Sequence, residues 1–132
     1  MADYYGSSRT NTFRVKNPQE FLDWTEQFEV NVHQRGPDSF SLFPETEYGC
    51  FPSYIYTEDG EYEDLDFFGE LSQFLVDDDV VIMMEAGAEK LRYIVGVAQA
   101  VNSKGEFLTV SIDDIYELVK EKWGIEPDSC EY

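Results

Sequence analysis

No lysine or arginine occurs between Arg35 and Lys90. Over those 54 residues, 36–89, the chain carries 15 Asp and Glu, so this stretch alone holds −15 of a formal net charge of −19. Like charges crowded into one interval repel, and no local cation offsets them. A chain that needed acidity only for solubility would intersperse both signs. The acids here are interleaved with large apolar residues, including Phe51, Tyr54, Tyr56, Leu65, Phe67, Phe68 and Phe74. Hydrophobic residues make up 42% and aromatics 16% of the 132-residue chain, which argues against a disordered polyanion and supports a single domain with its own core. The carboxylates are therefore expected on a rigid frame.

The flanks differ. Residues 1–35 hold 5 acids against 4 bases, and residues 90–132 hold 8 against 5. Adaptation to high salt would spread the acids evenly, which is not the pattern. Direct binding of phosphate backbones is disfavoured by the field of so anionic a protein. No run approaches the roughly 20 apolar residues of a membrane helix, and the polar, aromatic start is unlike a signal peptide. The expectation is a cytoplasmic protein without membrane contact, in which Cys50 and Cys130 are reduced thiols. Pairing between the two is not readable from the sequence.

Periodicity gives the elements. Residues 1–11 read as a polar arm with two tyrosines. Phe13 and Val15 alternate with Arg14 and Lys16, a short strand. Asn17-Pro18-Gln19-Glu20 is a helix start, with Asn as the cap and Glu at the capping-box position. Phe21, Trp24 and Phe28 follow at helical spacing. Val30–His33, Phe40–Phe43 and Ser53–Tyr56 read as strands, and Glu58-Asp59-Gly60 as a turn. A second helix is expected over Glu63–Val76, then a charged turn at Asp77–Asp79 and a central strand over Val80–Met84. Ala86-Gly87-Ala88 reads as a turn. Leu91–Val101 and Phe107–Val110 are expected to pair through Asn102-Ser103-Lys104-Gly105. The small residues Gly96, Ala98 and Ala100 on the first of these strands would let a helix pack closely. Ser111 opens a last helix with Ile112, Ile115, Tyr116, Val119 and Trp123 turned inward, Gly124 closes it, and residues 125–132 form a polar tail. The order β-α-β-β-β-α-β-β-β-α implies the α+β class: a single domain of mostly antiparallel sheet with about three helices packed on it.

Chemistry-bearing motifs are sparse. The chain's one histidine, His33, sits on an expected strand far in sequence from either cysteine, so no nucleophile–base pair is apparent. There is no nucleophile elbow, P-loop or dinucleotide fingerprint. The thiols and histidine do not cluster as zinc ligands. Placing Gly69 at the glycine of an EF-hand loop sets Asp64 and Asp66 at its first and third positions. It then sets Phe68 and Leu75 at the fifth and twelfth, where ligands are required, so the match fails. Carboxylate pairs suited to glycoside hydrolysis carry little weight among 28 acids. The sequence points to no catalytic residue, metal or cofactor.

Three explanations compete for the charge: a solvated surface, salt adaptation, and a face for a cationic partner. The last accounts for both its concentration and its folded setting. Carboxylates on a strand, a turn and a helix start can imitate the dense charge of a nucleic acid, and arginines grip carboxylates and phosphates alike. The candidate partner-binding residues are Glu45, Glu47, Glu58, Asp59, Glu61, Glu63, Asp64, Asp66, Asp77, Asp78 and Asp79, with Tyr48, Tyr54, Tyr56 and Tyr62 adding contact area. The expected partner is a basic nucleic-acid-binding protein: a nuclease, a CRISPR effector or a regulator. An acidic accessory or immunity-type protein without mimicry is the alternative. A homodimer could form through an exposed strand or the N-terminal arm.

The opening Tyr4-Tyr5-Gly6, followed by Arg9-Thr10-Asn11-Thr12-Phe13-Arg14-Val15-Lys16, resembles the start of small acidic proteins carried by phages and bacterial mobile elements. The resemblance covers the first 16 residues and the acidic character. Such proteins travel with anti-restriction and anti-CRISPR genes, so the resemblance implies a counter-defence role as a DNA mimic. It supplies no catalytic residues.

Overall fold

A computed structural model describes residues 4–45, 49–89 and 93–130. Among them the elements run β1 (Tyr4–Thr10), β2 (Phe13–Arg14), α1 (Pro18–Thr25), β3 (Val30–Gln34), β4 (Ser39–Pro44), β5 (Tyr54–Tyr56), β6 (Tyr62–Asp64), α2 (Phe67–Ser72), β7 (Val80–Glu89), β8 (Tyr93–Asn102), β9 (Phe107–Ser111) and α3 (Asp114–Trp123). The fold is α+β and every strand pair is antiparallel. The strands divide into separate antiparallel sheets. They make a four-stranded sheet β1-β7-β8-β9, a three-stranded sheet β2-β4-β3, and a β5-β6 hairpin.

Residues 4–10 are not an arm. They form β1, an edge of the large sheet, paired with β7 from Tyr4↔Glu89 to Thr10↔Met83. Gly6, Ser7 and Ser8 in its middle give little local strand signal, and the strand exists because β7 supplies a ladder some 80 residues away. For the same reason Ala86-Gly87-Ala88 is no turn. β7 runs straight through it, held between β1 (Gly6↔Gly87) and β8 (Gly87↔Val95).

Asn11 ends β1 by extending its ladder with a side chain. Its amide donates to the Val80 carbonyl at 3.1 Å and accepts from the Ile82 N–H at 2.8 Å. The backbone is thereby free to cross to β2. The two sheets are also joined at Thr10, which is 1% exposed. Its hydroxyl accepts from the Leu42 N–H at 2.8 Å and donates to the Asn11 carbonyl at 2.9 Å.

The core lies between the sheets and under α1 and α2. It contains Phe13, Val15, Phe21, Trp24, Phe40, Leu42, Phe67, Leu71, Leu75, Val81 and Val101. α1 starts as the sequence implies: the Asn17 side chain accepts from the Glu20 N–H at 3.1 Å, and Pro18 opens the helix. Its Phe21 ring meets Phe40 at 5.0 Å and Phe13 at 5.7 Å between centroids. Truncating a fully buried phenylalanine of this kind costs roughly 3–5 kcal/mol. Trp24 stacks near Phe67 at 5.0 Å and donates its indole N–H to Glu70 at 3.1 Å, fastening α1 to α2.

α2 is shorter than its apolar spacing suggests. Gly60, at φ +80°, turns the chain so that residues 62–64 pair back onto β5, and the helix begins only after Asp66. The larger correction concerns α3. The helix forms, with Gly124 as its left-handed end at φ +69°. Yet none of its residues is buried: Ile115 is 54% exposed, Leu118 56% and Trp123 65%. The inward packing expected for α3 does not occur within the chain.

Candidate functional site

The acidic run is built on the β5-β6 hairpin. The Thr57 N–H donates to the Glu61 carbonyl at 2.8 Å, and the Gly60 N–H to the Thr57 carbonyl at 3.0 Å, closing the turn that carries Glu58 and Asp59. Beyond the strand pair, the Leu65 N–H donates to the Ser53 carbonyl at 2.9 Å. Strand alternation sets Glu61 and Glu63 on one side of β6, and Tyr62 and Asp64 on the other. Asp66 then caps α2 by accepting from the Gly69 N–H at 3.1 Å. Glu58, Asp59, Glu61, Glu63, Asp64 and Asp66 are all exposed. Among the described residues none of them pairs with a base.

Asp77, Asp78 and Asp79 occupy a different place, at the far end of α2 from Asp66. Six helical residues separate the two groups by about 9 Å at the usual rise, plus the flanking turns. Asp79 is mostly withdrawn from solvent. One oxygen accepts from the Arg14 N–H at 2.6 Å and the other from the Val80 N–H at 2.8 Å, and the Arg14 guanidinium lies 3.8 Å away. Asp77 faces Lys16 at 4.0 Å with its side chain open to water. Asp78 takes the left-handed turn position at φ +67°. The cations missing from residues 36–89 are thus partly returned by β2 and the residues after it.

Glu45 is exposed and sits by the smaller sheet, its N–H donating to the Glu29 carbonyl at 2.9 Å. Glu47 and Tyr48 lie outside the described residues. The candidate contacts therefore fall into three places, of which the hairpin and its helix cap form the largest contiguous group.

A second feature was not anticipated. A cleft of about 830 Å³ opens along the large sheet, lined by residues of β1, β7, β8 and β9 together with Phe43, Pro44, Gly49 and Ile112. It is walled mainly by apolar side chains, with Arg9 at its rim over the Phe43 ring at 4.8 Å. Neither His33 nor Cys50 lines it. His33 is exposed and packs on Phe43 at 4.7 Å. Cys50 is half-buried with its sulfur 4.0 Å from Glu85; burial, and then the Glu85 charge, push its thiol pKa above the ordinary value. The available signal for the cleft was the run of small residues on β8, of which Gly96 and Ala98 line it.

Among the described residues, no group of three or more His, Cys, Asp or Glu is placed to hold a metal ion. No helix among them is long and apolar enough to cross a membrane. In comparisons with known proteins, no family model, curated protein or solved structure matches this chain.

Proposed function

We propose that this protein is a non-enzymatic, cytoplasmic binding protein whose carboxylates stand in for nucleic-acid phosphates. Its partner is a basic nucleic-acid-handling protein: a nuclease, a CRISPR effector or a regulator, which it blocks or regulates as a counter-defence factor. One observation carries the reading: six exposed carboxylates from Glu58 to Asp66 ride on a hydrogen-bonded hairpin and a helix cap, unpaired with any base among the described residues. A folded frame presents them without the ordering cost that a flexible acidic tail would meet on binding. Lysines and arginines lining a nucleic-acid channel would exchange phosphates for these groups, with fast association that salt slows.

A second reading is an acidic accessory or immunity-type protein without mimicry. The tethering of Asp79 and the Asp66 cap favour it, because part of the acidity serves the fold. One experiment separates the two. The protein is used to capture partners from a bacterial lysate at low and high salt, and duplex DNA is then tested as a competitor for the captured protein. Reversing Glu58, Asp59, Glu61 and Glu63 to Lys should abolish the competition while circular dichroism stays unchanged. Equal competition by the reversed protein would reject mimicry.

A further inference from the structure

Two surfaces of this chain want burial and do not find it. The first is the outer face of the large sheet, where register aligns Met84 with Ala98 and Ala98 with Val110, and sets Ala100 beside Leu108. Met84 is 61% exposed, Val110 62% and Leu108 77%. The small residues on β8 leave a trough between the larger ones. The second is α3, whose Ile115, Leu118 and Trp123 recur at helical spacing and all face water.

We propose that these surfaces cover each other between two copies of the chain, with α3 of one protomer lying across β8 and β9 of its partner and the reverse across a two-fold axis. The chain's own helix does not reach its own trough. Only residues 112 and 113 separate β9 from α3, and Ile112 is held to the sheet by its N–H on the Gly96 carbonyl at 2.9 Å. The helix thus leaves at the end of the edge strand, and the trough stays open beside it. A second copy is the occupant because it carries the matching half of both surfaces, which is the self-complementarity a two-fold interface requires.

Area agrees. Leaving out Phe107, which shares the face of buried Val101, nine large apolar residues of β7–β9, α3 and the residues joined to them are 50–77% exposed. Fully covered, they would contribute on the order of 1,000 Å² per chain, against about 800 Å² per partner in a standard interface. Charge agrees as well. The outward positions Ile82, Met84, Ala98, Ala100, Leu108 and Val110 carry no charge, so the face itself adds no like-charge repulsion between two copies. A basic foreign protein would be drawn to the acids of residues 36–89 rather than to this uncharged face. The proposal is independent of the function proposed above. Salt tells the two apart: it weakens capture of a basic partner but strengthens self-association by screening repulsion between two chains of −19.

The test is sedimentation velocity with light scattering from micromolar to near-millimolar protein, paired with acrylamide quenching of tryptophan fluorescence. A species of twice the 15.3 kDa chain mass is expected, with Trp123 becoming protected as it forms. Leu118→Glu on the helix and Leu108→Lys on the sheet should each return the mass to that of one chain. Both side chains are exposed in the single chain, so circular dichroism should not change. Combining the two substitutions places opposite charges across the interface and should recover part of the association. A monomer at every concentration overturns the proposal, as does Trp123 protected in a monomer, or a dimer indifferent to both substitutions.

Discussion

Asp79 accepts the backbone N–H of Arg14 at 2.6 Å while lying 3.8 Å from the guanidinium of the same residue. A carboxylate in the middle of an acidic block is thus part of the frame. It joins β2, 65 positions away in the sequence, to the first residue of β7. Among the described residues its neighbour Asp78 makes no comparable bond, and it sits at a positive φ.

The two should therefore respond oppositely to substitution. Asp79→Ala is expected to cost about 2 kcal/mol of unfolding free energy, since two backbone donors lose a charged acceptor. Asp78→Gly should be neutral or stabilising by about 0.5 kcal/mol, through relief of the left-handed backbone. Urea denaturation with both variants measures the contrast. A loss at Asp79 no greater than at Asp78 would contradict the tethering.

Thr10 predicts a packing-neutral defect. Thr10→Val keeps the shape but strands the Leu42 N–H in a site that is 1% exposed. The expected cost is about 1–3 kcal/mol, the penalty of an unsatisfied buried donor. Amide hydrogen exchange at Leu42 should accelerate more than exchange in β8.

Gly49 is strained for any other residue. Its φ is +73°, and a Cβ there would run into the Gly6 carbonyl. Gly49→Ala should destabilise by about 1–3 kcal/mol or displace the segment from β1. Gly60→Ala, at φ +80° with open space around it, should cost less, on the order of 1 kcal/mol. Thermal melts of the pair test the ranking.

Cys50 should be a sluggish thiol. Burial and the Glu85 carboxylate both favour the protonated form, so alkylation at mildly alkaline pH should be slow and should rise with pH beyond the range of an ordinary cysteine. Glu85→Gln removes the second cause and should speed the reaction severalfold. Mass-resolved alkylation rates from pH 7 to 10 follow Cys50 separately from the exposed Cys130.

The elements legible in the sequence were those with local chemistry behind them. Asn17-Pro18 capped α1, Gly105 turned β8 into β9, and Gly124 closed α3, each through a backbone requirement that a short segment states on its own. The α+β class followed from these. β1 was illegible because Gly6, Ser7 and Ser8 carry no alternation, and its ladder is supplied by distant β7. The second helix begins later than its apolar spacing implies because Glu63 and Asp64 suit a helix start as well as an exposed strand, and only pairing with β5 decides between them. α3 marks a different limit. Its apolar stripe states that a surface wants cover, but periodicity does not say which surface, or whose. Of the candidate contacts, the run from Glu58 to Asp66 was readable as a group. The tethering of Asp79 was not, since Arg14 lies on the far side of the sequence from it.

Asn11 also bears on what the chain can tolerate at its crossing between sheets. Its carboxamide impersonates a peptide unit, giving one hydrogen and taking another at the spacing that a neighbouring backbone would use. Aspartate could only take, and leucine could do neither. The junction is therefore specified by the two-sided polarity of one small group, and a chain otherwise crowded with carboxylates has to keep an uncharged amide at this joint.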